Sequence, residues 1–159
     1  MEDTLRSIMS ERLIAVGADE PALAAIRKMV EKDVGAVLVK RGNRIMGILT
    51  ERDILRAATK KEGVLALRVR EITSRRRLVT AKPDDPPLHA LRLMAQHQVR
   101  RIPVVEKGRV VGIVTERDLV TWLLRRPEVI LDLLSMDRPA VSRDALVALL
   151  TELRLREQI

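Results

Sequence analysis

The chain has 159 residues, 47% hydrophobic and 33% charged, a balance that suits a folded, highly charged soluble protein and argues against a disordered one. It lacks cysteine, which excludes disulfides, thiolate catalysis and cysteine-held metals, and no apolar run approaches the ~20 residues that span a bilayer. The formal net charge of +8 favours anionic partners in general, whereas a single aromatic residue, Trp122, leaves little for stacking on bases.

In chain order, Met1-Glu2-Asp3-Thr4 opens acidic without an apolar h-region, so no secretory signal is expected and cytoplasmic residence is the default. Leu13 to Val16 reads as a short strand. Pro21 to Lys32 carries Leu23, Ile26, Met29 and Val30 at helical spacing, with Pro21 in the first turn and Asp19 as the expected cap. Ala36 to Lys40, the turn Arg41-Gly42-Asn43 and Arg44 to Leu49 read as a hairpin, followed by a helix from Glu51 to Ala58. Lys60 to Arg77 is a basic connection with a short helix expected around Val64 to Ile72. The series then recurs: a strand at Leu78 to Thr80, a helix carrying Pro86, Leu88, Leu91, Met94 and Ala95, a hairpin (Ile102 to Val105, Glu106-Lys107-Gly108, Arg109 to Val114) and a helix from Glu116 to Leu124. The tail from Glu128 to Ile159 reads as two helices divided near Asp137-Arg138-Pro139.

The recurrence is an internal duplication. Asp19 to Asp53 aligns with Asp84 to Asp118 at a constant offset of 65, without gaps, ending in the near-identical segments Gly47-Ile48-Leu49-Thr50-Glu51-Arg52-Asp53 and Gly112-Ile113-Val114-Thr115-Glu116-Arg117-Asp118. One copy of about 60 residues buries too little surface to be stable alone, so the two are expected to pack together.

Each copy resembles a CBS domain, a small regulatory unit that occurs in pairs. Ile8-Met9-Ser10 is similar to the family's opening, Val79-Thr80-Ala81-Lys82-Pro83-Asp84 and Arg100-Arg101-Ile102-Pro103-Val104-Val105 resemble two of its strand segments, and Gly-x-x-Thr-x-x-Asp, its strongest signature, stands twice in register. The resemblance implies an α/β fold, two βαββα repeats about a pseudo-two-fold axis, with residues 1–62 as the first domain, 63–126 as the second and 127–159 as a C-terminal helical tail. It also implies a homodimer and a non-enzymatic sensor that binds an adenine nucleotide between the repeats: AMP first, ADP or ATP next, with S-adenosylmethionine or NAD as alternatives. No cofactor is required. An unidentified protein target is a further possible partner, and a purely structural docking module is the competing reading.

The residue chemistry fits that role. A carboxylate can accept hydrogen bonds from both hydroxyls of a ribose, which points to Asp53 and Asp118. Thr50 and Thr115, at the strand-to-helix junctions, can touch ribose or phosphate, and Arg52 and Arg117 can add a guanidinium. A second reading of the threonines is that they only cap helices, with the aspartates placed to favour the helix dipole. The copies differ: Thr80 corresponds to Ala15, and Arg100-Arg101 to Gly35-Ala36, so Arg100 and Arg101 are the first phosphate candidates and one strong site beside one weaker site is expected. Ile14, Val16, Val37, Val79 and Val104 are candidate neighbours of the adenine ring, with ordinary core as their other reading.

Nothing in the chain supports catalysis. His89 and His97 are eight apart on one expected helix, too far for a shared metal ion, and neither a nucleophile triad nor a glycine-rich phosphate loop is present. Nucleic acid is not expected as a partner: the run Arg68, Arg70, Arg75, Arg76, Arg77 would support it, but stacking residues and recognition motifs are missing and a uniformly basic surface accounts for the charge.

Overall fold

The computed structural model describes residues 3–42, 44–73 and 78–135. The elements follow in the order α1 (Leu5–Ile8), β1 (Ala15–Gly17), α2 (Ala22–Lys32), β2 (Ala36–Arg41), β3 (Arg44–Thr50), α3 (Glu51–Ala58), a single 3-10 turn (Val64–Ala66), α4 (Val69–Ile72), α5 (Pro87–His97), β4 (Arg101–Glu106), β5 (Arg109–Thr115), α6 (Glu116–Leu124) and α7 (Pro127–Ser135). This is the mixed α/β architecture of two repeats plus a C-terminal helix. The second helix expected in the tail lies outside the described residues.

Packing divides the chain differently from the repeat boundaries. Arg12–Leu78 forms one compact unit, and residues 3–11 join residues 79–135 in the other. Each unit therefore takes its lead-in helix from the segment that precedes the other repeat. Leu5 of α1 is wholly buried with Ala90, Ile102, Val114 and Leu119, and Val69 of α4 is wholly buried with Val16, Ala25, Val39 and Leu49. The backbone anchors match too: Leu5 N–H donates to Asp85 O and Arg6 N–H to Pro83 O, as Val69 N–H donates to Glu20 O and Arg70 N–H to Ala18 O. The expected division at 62/63 cuts across these anchors.

The unit Arg12–Leu78 holds a three-stranded sheet, with β1 parallel to β2 and β2 antiparallel to β3. Among the described residues the other unit pairs β4 with β5, with an isolated bridge from Ser10 to Ile113, and the strand expected at Leu78 to Thr80 is reduced to one parallel bridge, Ala81 to Val104. Two prolines explain the loss. In the first repeat Leu38 N–H donates to Ile14 O and Ala18 N–H donates to Lys40 O. The positions 65 residues on are Pro103 and Pro83, which have no N–H, so both flanking ladder bonds disappear.

Asp19 is not a helix cap. Pro21 and Pro86 occupy the N-cap positions with extended backbone and no side-chain capping bond, while Asp19 pairs with arginines on the surface. Both helices end on a left-handed residue, Asp33 (φ 51°) and Gln98 (φ 52°), after which Val34 and Val99 bond back to Met29 O and Met94 O. The second hairpin turns through Lys107 (φ 48°) and Gly108 (φ 77°), two positive angles that match the right-handed twist of the strands.

The lead-in segments press closely on the sheets. A Cβ at Gly112 of β5 would collide with Met9 Sδ and lie 2.8 Å from its Cγ, whereas one at Gly47 of β3 would meet only Thr73 Cγ2 at 3.2 Å. Gly112→Ala is expected to destabilise the protein by about 1–3 kcal/mol, the range for overpacking, and Gly47→Ala by clearly less. Thermal melts of the two variants check the order, and equal shifts would show that Met9 yields without cost.

Candidate functional site

Both Gly-x-x-Thr-x-x-Asp segments fold into the same junction. Each threonine ends a strand in extended conformation and begins a helix, and its hydroxyl accepts the backbone N–H of the aspartate three residues on. Thr50 N–H and Oγ1 both donate to Asp53 Oδ2, at 3.0 and 2.6 Å, and Thr115 N–H and Oγ1 donate to Asp118 Oδ2, at 2.8 and 2.6 Å. These are complete capping boxes. The capping reading of the four residues is thus realised in both copies, and the box uses only Oδ2 of each carboxylate. Asp53 Oδ1 lies 3.7 Å from Arg56 Nη1. The corresponding position in the second copy is Thr121, so that ion pair belongs to the first copy alone. Spacing of i, i+3 on a helix was the available signal for Arg56, which the sequence reading passed over.

The hairpin register gathers the other polar candidates at the same ends. Arg101 stands directly opposite Thr115, and Ala36 opposite Thr50. Glu116 N–H donates to Arg100 O and Glu51 N–H to Gly35 O, which fastens each helix start to the residue before the neighbouring strand. The end of the second hairpin therefore collects Arg100, Arg101, Thr115, Arg117 and Asp118, with Thr80 one residue before the Ala81 bridge on the same side. The first hairpin collects Thr50, Arg52 and Asp53 with no cation at positions 35 and 36. Arg52, Arg117, Arg100 and Thr80 are exposed, Asp118 is half-buried and Asp53 is buried. Arg100 Nε lies 3.6 Å from Glu116 Oε2, a neighbour the sequence reading did not include.

The apolar candidates divide. Val16, Val37 and Val104 are at most 2% exposed and lie in the cores of their units, where they pack as core residues. Val37 and Val39 share one cluster, as do Ile102 and Val104, the two-residue period of a strand, and Leu38 and Pro103 between them are buried as well. Ile14 and Val79 are half-buried at the core margin. Both histidines lie on α5, and among the described residues no group of acids and histidines could hold a metal ion.

Since both threonines satisfy helix-start donors, Thr50→Ala and Thr115→Ala are each expected to cost about 1 kcal/mol, the usual loss for a threonine cap. Urea unfolding measures this. Loss in only one variant would show that the boxes are not equivalent supports.

A sequence model of the CBS domain matches the chain twice, over residues 5–60 and 69–125. Hypoxic response protein 1 of Mycobacterium tuberculosis is 35% identical over 129 residues, which cover 76% of this chain and 85% of that protein. Protein MJ1225 of Methanocaldococcus jannaschii is 32% identical over 124 residues, and here the chain spans only 44% of the relative's length. Among solved structures, the CBS domain pair of protein MJ0100, in complex with 5′-methylthioadenosine and S-adenosyl-L-methionine, superposes with a TM-score of 0.68 at 26% identity, covering 76% of this chain and 99% of that one. With the family model matching both repeats, the chain belongs to the CBS domain family, carrying two copies of the domain.

Proposed function

We propose that the chain is a regulatory module that binds an adenosyl ligand through the hairpin ends that carry the capping boxes, and that the phosphate of AMP, or of ADP or ATP, is held by the second hairpin. The observation that carries this reading is the concentration of Arg100, Arg101 and Arg117 around Thr115 and Asp118, in register on one hairpin end. A planar guanidinium suits phosphate oxygens, and the start of α6 adds a field favourable to an anion. The Oδ1 oxygens, outside the boxes, are the candidate acceptors for ribose hydroxyls, and the box holds each carboxylate in one orientation for that contact.

S-adenosylmethionine is the second reading, favoured by the complex of the MJ0100 pair with that molecule and with 5′-methylthioadenosine. Its sulfonium is positive, so it suits the first hairpin end, which lacks the arginine pair, better than the second. The module is read as non-enzymatic and cytoplasmic, acting on a partner protein by a ligand-dependent change in affinity, which requires the ligand to bind two states unequally. Leu55 on α3 and Leu124 on α6, exposed by 68% and 57%, offer apolar surface to a homodimer. No helix among the described residues is long and apolar enough to cross a membrane.

Calorimetric titration with AMP, ADP, ATP, S-adenosylmethionine and NAD tests the reading. Asp53→Asn and Asp118→Asn keep an oxygen that can close the cap but remove the charge, so they separate ligand binding from folding. One of them is expected to weaken AMP binding at least about tenfold, the scale of a lost charge-assisted hydrogen bond. Arg100→Gln with Arg101→Gln is expected to weaken AMP more than S-adenosylmethionine. Absence of heat with every ligand would sink the sensor reading and leave a protein-docking module.

A further inference from the structure

Among the described residues, equivalent surface nodes of the two units differ in charge: one gathers arginines around a single carboxylate, the other mixes both signs. In each unit the lead-in helix sends an arginine to a carboxylate. Arg70 Nε lies 2.8 Å from Asp19 Oδ1, and Arg6 Nε lies 3.8 Å from Asp84 Oδ1. Around Asp19 stand two further guanidiniums, Arg68 Nη1 at 3.5 Å and Arg41 Nε at 4.0 Å. Around Arg6 stands instead a second carboxylate, Glu106 Oε1, 2.5 Å from Nη2. Arg41 and Glu106 occupy the same position in their hairpins. Three guanidiniums on one carboxylate leave two positive charges uncompensated, whereas at the equivalent node Arg6 and Arg109 balance Asp84 and Glu106.

The closing pairs of the hairpins extend the contrast. Glu106 stands opposite Arg109, a favourable cross-strand pair, but Arg41 stands opposite Arg44, and like charges directly opposite destabilise a hairpin. Lys40 adds another exposed cation beside them. Stability supplies no reason for this arrangement, since the second repeat shows the favourable pairing in the same fold. Glu71, on the same lead-in helix, is engaged by the Arg68 backbone amide, 2.8 Å from Oε2.

We propose that this arginine node, made by Arg41, Arg44, Arg68 and Arg70 with Lys40, docks the phosphate backbone of a nucleic-acid duplex and reads charge without reading sequence. Arg41, Arg68 and Arg70 are about half exposed, 47–56%, and Arg44 and Lys40 are exposed, an open array that suits a repeating line of phosphates better than one small ligand. Guanidinium forks pair bidentately with phosphate oxygens. Backbone docking needs no stacking aromatic, and the single one, Trp122, lies in the other unit. An acidic protein segment presents the same sign of charge at lower density and without the regular spacing of a duplex.

The test is fluorescence anisotropy of the full chain with a labelled mixed-sequence duplex of about 20 base pairs, in roughly 25–200 mM KCl. Substituting Arg41, Arg68 and Arg70 together by Gln is expected to weaken binding more than tenfold at low salt and to lower the slope of log K against log salt by about 2–3, near 0.9 per lost phosphate contact. The charge-matched change of the exposed Arg92, Arg109 and Arg125 is expected to change the slope by less than about 1. Asp19→Asn, which frees the node of its internal counter-ion, should tighten binding several-fold, and Asp84→Asn, the same charge change at the equivalent node, should not. Thermal melts confirm that the variants fold. Equal effects of the two triple substitutions or of the two asparagine variants, or no duplex binding by the parent protein, would overturn the proposal. So would poly-glutamate displacing the duplex at equal charge, which would assign the node to an acidic protein partner.

Discussion

Each repeat depends on the reciprocal hydrogen bonds between a threonine that ends a strand and an aspartate one turn into the following helix. A helix start leaves backbone N–H groups without partners, and a strand end leaves the chain free to leave the sheet in any direction. The box answers both problems, since Asp53 and Asp118 each take the amide and the hydroxyl of the threonine while the hydroxyl takes an amide in return. The backbone bonds from Glu51 to Gly35 and from Glu116 to Arg100 then fix the helix start to the neighbouring strand. The box thus holds each aspartate carboxylate in one orientation at the junction.

The second dependence is the crossing of the lead-in helices. The four-residue helices α1 and α4 are far too short to persist alone, and they exist because Leu5 and Val69 are wholly buried in their units. Each repeat is thereby completed by chain that precedes the other, which joins the two covalently and leaves neither with a full core of its own. Leu123 and Leu133, with Trp122, Val129 and Ile130, form a smaller cluster that seats α7 on α6. Trp122 Nε1 donates to Asp3 Oδ2 at 2.8 Å, and Arg126 reaches the same carboxylate at 2.6 Å, so the first described residue ties down the turn between those helices.

Duplication supplied two copies of one solution, and they depart from each other at particular positions. Prolines at 83 and 103 remove the ladder bonds that keep β1 in the first repeat, which leaves Thr80 on irregular, exposed chain beside the arginine-bearing hairpin end. Arginines at 100 and 101 replace Gly35 and Ala36, and Glu106 replaces Arg41 at the opposite end of the hairpin. The first repeat thus concentrates positive charge at its turn end and the second at its junction end. The two repeats combine a common backbone geometry with separate charge patterns.

How much of this was legible in the sequence follows from range. The ungapped offset of 65, the proline-opened helices, the hairpins and the helices after each threonine are local patterns, and Glu51–Ala58 and Glu116–Leu124 fall where the sequence puts them. The signature segments were enough to place the chain in its family. What escaped was non-local. Asp19 reads as a cap because it precedes a helix, but arginines 22 and more residues away claim it. Leu78 to Thr80 reads as a strand because its own residues suit one, but the missing donor sits in the partner strand at Pro103. Val16 and Val37 read as core before ring contacts, and packing puts them inside their unit. The sequence by itself determined the proline-opened helices, the hairpins, the helices after each threonine, the duplication and the residues of the junctions, but not α1 (Leu5–Ile8) or the division of Val64–Ile72 into a 3-10 turn and α4. Only the tertiary structure decided which segment completes which unit and which charges meet, because those depend on contacts between residues that no local pattern connects.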